Sequence, residues 1–104
     1  MAVLYISEYE ALPFINATTV PISQDPPFVE QTVAIGGAST QSTPFTTRTH
    51  VVRIHTDSVC SIKFGLAANL TTSPVTTSNK RLAANQTEYF YVKPSDSVAV
   101  IANT

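Results

Sequence analysis

Cys60-Ser61-Ile62-Lys63-Phe64 alternates apolar and polar side chains with a period of two, so Cys60, Ile62 and Phe64 fall on one face of an extended chain and Ser61 and Lys63 on the other. That is the pattern of a strand with one face in a core. Nothing comparable occurs at helical spacing anywhere in the chain.

Residues 49–56 alternate in the same way and are separated from 59–64 by Asp57-Ser58. Two residues between alternating runs is hairpin spacing, although Asp-Ser is a weaker signal than Asp-Gly, and a hairpin is expected here. Upstream, Val29, Gln31, Val33 and Ile35 share one face of a strand closed by the turn signal Gly36-Gly37. Residues 38–47 and 67–79, rich in Ser and Thr, read as loops. Downstream come a short run at Arg81-Leu82-Ala83, a turn at Asn85-Gln86, a strand over 87–92, a turn at Pro94-Ser95-Asp96 and a last strand over 97–102. Val33, Ile35, Val52, Ile54, Cys60, Ile62, Phe64, Phe90, Val92, Val98 and Val100 recur at alternate positions and are the expected core. Six to eight strands in 104 residues predict one all-β domain, a small β-sandwich or jelly-roll-like barrel.

The first thirty residues read differently. Residues 3–7 form a short apolar run able to make a strand, with Tyr5 and Tyr9 on the side of Val3, but Pro13, Pro21, Pro26 and Pro27 follow. Each proline removes a backbone donor and holds its predecessor extended, which excludes helix and central sheet. The expected organisation is an extended N-terminal arm over 1–27 and a β-sandwich body over 28–104. Residues 1–30 carry four acidic and no basic side chains, whereas 31–104 carry six basic and three acidic ones. Such an arm suits the body of its own or a sister subunit, or a basic patch on another protein. Its expected anchors are Val3, Leu4, Tyr5, Ile6, Leu12, Phe14 and Ile15, with Glu8 and Glu10 adding salt-sensitive pairing.

Charged residues make up 12% of the chain, against about 25% in an ordinary soluble domain. Fifteen threonines and ten serines fill the gap, giving a surface that a neighbour can cover without desolvating many charges. A homo-oligomer is therefore expected. A net charge of −1 argues against a general nucleic-acid binder, because phosphate-driven affinity needs a basic surface. No stretch is long and apolar enough for a membrane helix. The start Met-Ala-Val-Leu-Tyr-Ile-Ser-Glu lacks the basic residues and longer apolar segment of a signal peptide, so synthesis in the cytoplasm is expected. Cys60, the single cysteine, is expected to be a buried, inert thiol.

No catalytic set can be assembled. His50 and His55 lie five residues apart on one strand and point to opposite faces, so one metal cannot easily use both. There is no G-x-S-x-G elbow, and Asp57 and Asp96 sit in turns, where backbone capping is their common role. Gly36-Gly37 lacks the Lys-Ser/Thr of a phosphate loop. The chain is read as a non-enzyme without cofactor or metal. Tyr89, Phe90 and Tyr91 place rings on both faces of one strand, with Phe90 in the core and the tyrosines at an interface, under the arm, or stacked on sugar rings.

Val33-Ala34-Ile35-Gly36-Gly37, the run from Val51 to Asp57, the run from Arg81 to Phe90 and Val98-Ala99-Val100-Ile101 resemble small proteins encoded beside the major capsid gene of tailed bacteriophages, over about residues 28–104. The resemblance implies a capsid decoration, or cement, protein. Its body would bind the major capsid protein at capsomer junctions on the virion surface, frequently as a trimer and without catalysis. A head–tail connector, a tail subunit and a carbohydrate-binding β-module share most of these features and are the alternatives.

Overall fold

Alternation of apolar side chains produces two antiparallel sheets in the computed structural model of the chain, which describes residues 2–10, 14–15, 18–19 and 29–103. The strands are β1 (Val3–Tyr9), β2 (Phe14–Ile15), β3 (Thr18–Thr19), β4 (Val29–Ala34), β5 (Thr40–Gln41), β6 (Val51–Thr56), β7 (Cys60–Gly65), β8 (Lys80–Leu82), β9 (Thr87–Tyr91) and β10 (Ser97–Ala102), with one short helix, α1 (Ala67–Thr72). The first sheet has the order β4-β1-β6-β9 and the second β5-β10-β7-β8; β2 and β3 form a separate two-stranded sheet among the described residues. The chain is an all-β sandwich, and its core lies between the two sheets.

Leu4, Ile6, Val33, Ile35, Val52, Ile54 and Val92 enter that core from the first sheet and its continuations, and Cys60, Ile62, Leu82, Val98 and Val100 from the second. Of the core residues expected from alternation, nine are buried, while Phe64 and Phe90 are half-buried and pack against the cluster. Phe64 lies between Phe45 and Phe90, with ring centroids 6.4 and 5.1 Å away. The Lys80 ammonium stands 4.8 Å from the Phe90 ring centroid, at the side of the sandwich where β8 and β9 are the sheet edges.

The pairing is nested. β7 pairs with β8, β6 with β9 and β5 with β10, each pair enclosing the one before. Beyond β5, the strand β4 needs a partner that would follow β10 in the chain. It pairs instead with β1, from the opposite terminus. Contacts of β1 with β6 and of β10 with β7 then close the two sheets. This is the double Greek key of an eight-stranded jelly roll with its final strand supplied by the first residues of the chain. The two ends accordingly meet at one turn: the Ile35 N–H donates to the Ala2 carbonyl at 3.0 Å and the Ala102 N–H to the Gly36 carbonyl at 2.8 Å.

Three expectations are corrected. Residues 3–9 are not part of an arm, because β1 is hydrogen-bonded along its length to β4 on one side and β6 on the other. The prolines that argued for an arm all lie beyond it, and the division at residue 27/28 fails for this stretch. Residues 49–64 are not a hairpin: β6 and β7 belong to different sheets and face each other across the core. Asp57-Ser58 offers no glycine for a tight primed turn. Thr56 Oγ1 instead donates to the Ser58 carbonyl at 2.6 Å and accepts from the Ser58 N–H at 3.2 Å, and the chain crosses between sheets. Lastly, residues 67–79 are not all loop, since α1 lays Leu70 with Val75 against Ala99 and Ile101 on the outer side of the second sheet. The left-handed Asn85 (φ 60°) and Ser95 (φ 69°) stand at the turns expected on either side of β9, and asparagine is among the residues that adopt this conformation most readily.

Candidate binding surface

The two sheets differ in what covers their outer sides. On the second sheet α1 and the segment after it cover Ala99, and Ser61 is fully buried, its hydroxyl accepting from Asn103 Nδ2 at 2.7 Å. The first sheet has no such layer among the described residues over most of its outer side. Inward-facing Leu4, Ile6 and Glu8 on β1 leave Val3, Tyr5, Ser7 and Tyr9 outward, and Val52 and Ile54 on β6 leave Arg53 and His55 outward. Register sets these into rows across the strands. Thr32, Tyr5, His55 and Thr87 form one row; Glu30, Ser7, Arg53 and Tyr89 form the next; Tyr9, Val51 and Tyr91 form a third.

All four tyrosines of the chain thus lie on one sheet face. Tyr91 is 83% and Tyr5 43% exposed, Tyr89 is half-buried, and Tyr9 is buried. The Tyr5 ring stands 6.2 Å from that of His55, whose Nδ1 lies 2.8 Å from Thr87 Oγ1. Tyr91 stands 6.2 Å from the ring of His50. Tyr5, Ser7, Glu30, Arg53, His55 and Asp57 line a shallow depression of about 380 Å³. Neither Arg53 nor Glu30 makes a side-chain hydrogen bond or ion pair within the described residues. Aromatic rings with an unpaired guanidinium make a contact surface, since Tyr and Arg are the residues enriched where proteins meet.

The expected anchors separate into four groups. Tyr5 and half-buried Val3 lie on the open face. Leu4 and Ile6 face the core and cannot touch a partner. Phe14 and Ile15 form β2, paired with Thr19 and Thr18 of β3. Leu12 lies outside the described residues. Of the two expected acidic contacts, Glu10 is exposed and pairs with Arg48 of its own body, Oε1 to Nη2 at 3.1 Å. An exposed pair of this kind contributes about 0–1 kcal/mol.

Glu8 is the larger correction. It is 1% exposed and serves as an internal acceptor: Thr49 Oγ1 donates to Oε1 at 2.8 Å, the Thr46 N–H to Oε1 at 3.0 Å, and Gln31 Nε2 to Oε2 at 3.1 Å. Gln31 Oε1 in turn accepts from the N–H and hydroxyl of Thr43. One buried carboxylate therefore fastens the connection between β5 and β6 to the first sheet. Glu8→Ala strands the donors of Thr46, Thr49 and Gln31, and is expected to lower the unfolding free energy by about 2–3 kcal/mol in urea titration.

His55 lies on the open face and His50 beside Tyr91, and the described residues gather no group of three or more side chains able to hold a metal. Cys60 is fully buried, its thiol 3.5 Å from Thr56 Oγ1. Burial pushes the thiol pKa up, with the Thr56 hydrogen bond opposing the shift. A thiol so held stays protonated near neutrality and is no nucleophile. The shared tyrosine face was half legible in sequence: the pairs Tyr5/Tyr9 and Tyr89/Tyr91 each fall on one side of their strand, but only the topology brings β1 and β9 into one sheet.

No protein-family model, curated protein or solved structure matches the chain.

Proposed function

We propose that this chain is a non-catalytic structural protein of a tailed-phage particle, made in the host cytoplasm, that decorates and cements the capsid by binding the major capsid protein at capsomer junctions as a homo-oligomer. Nucleic acid and membrane are not its targets. The observation that carries the reading forward is the register Glu8↔Val29 between β1 and β4. It places Glu8 and Val29, which flank the proline-rich stretch in sequence, side by side at one end of the sandwich. Recognition is disproportionately carried by connections between rigid elements, and the expected anchors Leu12, Phe14 and Ile15 lie in that stretch of sequence. The stabilising effect comes from modest contacts repeated over many copies.

The test replaces residues 11–28 with a short Gly-Asn turn. The variant is expected to keep the circular dichroism of the parent and to lose binding to shells. Shells without the protein should rupture at a lower temperature than decorated ones. Undiminished binding by the variant, or equal rupture temperatures, would count against cementing through this segment. Where the protein sits on particles separates the runner-up: a ring at one vertex means connector or tail. A second reading, a glycan-stacking face, is favoured by the exposure of Tyr91 alone, and glycan-array binding lost in Tyr91→Ala would support it.

A further inference from the structure

The open face of the first sheet carries two charges that have no hydrogen-bond or ion-pair partner among the described residues, and their positions are related by symmetry. Glu30 on β4 and Arg53 on β6 both stand opposite Ser7, on either side of β1. Strands lie about 4.8 Å apart, so the two backbones are separated by roughly 10 Å with only the small Ser7 between them. They form no ion pair with each other.

We propose that this face binds a second copy of the chain across a two-fold axis running along β1. Such an axis exchanges the β4 side with the β6 side. Glu30 of each copy then lies over Arg53 of the other, and both unpaired charges are matched at once. In the next row Thr32 meets His55. Tyr5 and Ser7, on the axis, meet their own counterparts. An axis in the same plane but across the strands would set β4 over β4 and leave both charges unmatched. Stacked sheets stand about 10 Å apart and are turned by about 30°, a gap that Arg and Glu side chains span from opposite sides. The apolar centre is Tyr5 and the rim is polar, as specific interfaces are built. A four-stranded face about 20 Å on a side spans roughly 400 Å² per copy, the size of a weak, transient contact. The pair should be reversible and concentration-dependent.

This assigns the surface behind the homo-oligomer proposed above. It predicts an isologous dimer, whereas the trimer implied by the phage resemblance needs two different patches. The experiment uses the isolated full chain, so its outcome is independent of whether the protein binds capsids. Sedimentation equilibrium from 5 µM to 1 mM should show 11.2 kDa chains associating to twice that mass. Glu30→Arg and Arg53→Glu should each weaken dimerisation at least tenfold, because each sets like charges at both crossing points. Mixing the two single variants should restore association as a heterodimer, since both crossing points then hold opposite charges, and the double exchange in one chain should restore the homodimer. Circular dichroism of each variant checks the fold. A monomer throughout the concentration range, an oligomer indifferent to both single variants, or a mixture no stronger than its components would overturn the proposal.

Discussion

Deleting residues 1–9 is expected to leave a chain that does not fold. β1 is an interior strand, paired with β4 and β6 on its two sides, and its loss would open two sheet edges at once. Leu4 and Ile6, both essentially inaccessible, would go with it, at about 1.5–3 kcal/mol each in lost burial. The buried acceptor of Thr46 and Thr49 would also disappear. Against a total stability of about 5–15 kcal/mol for a domain, these losses are decisive. The measurement is near-ultraviolet circular dichroism with urea titration, where the truncated chain should show neither native signal nor a cooperative transition. A native spectrum with cooperative unfolding would mean that β1 does not hold the place described. The replacement of 11–28, which spares β1, is the matched control.

Ile54→Ala is expected to be the most damaging single truncation on β6. The side chain is completely buried at the centre of the first sheet, flanked by Ile6 on β1, and removing it should cost about 2–5 kcal/mol. For a domain near this size the melting temperature should fall by roughly 10–30 °C. Phe64→Ala should cost less than the about 3–5 kcal/mol of a fully buried ring, because Phe64 is only half-buried. Calorimetry of the two variants orders the positions. A smaller loss at Ile54 than at Phe64 would contradict the burial pattern.

Side-chain parity was readable from sequence wherever strands alternate, and strand pairing was not. Val52, Ile54 and Thr56 followed by Cys60, Ile62 and Phe64 would share a face in a hairpin, and they equally face one another across a sandwich. Alternation cannot separate these arrangements; the decision lies in which edges remain to be satisfied after all strands are placed. β1 was hidden for a second reason. An acidic residue stands at the third inward position, Glu8, and reads as surface until Thr46, Thr49 and Gln31 are seen around it. α1 gave no signal because its six residues bury only Leu70 and its N-cap makes no side-chain hydrogen bond.

The terminal swap in the jelly roll also sets an order of events. β1 precedes in the chain both strands it pairs with, yet the groove that receives it exists only once β4 and β6 are both present and correctly spaced. Every ladder it joins spans a wide sequence separation, and chains dominated by such distant pairings fold in milliseconds to seconds rather than microseconds. Among the nested pairs, β7 with β8 closes the shortest loop and is the natural nucleus, with successive pairs zipping outward and β1 docking last. Until then an amphipathic strand bearing Leu4 and Ile6 waits unpaired, and crowding at that stage, more than any weakness of the finished fold, governs how much of the newly made protein is lost to aggregation.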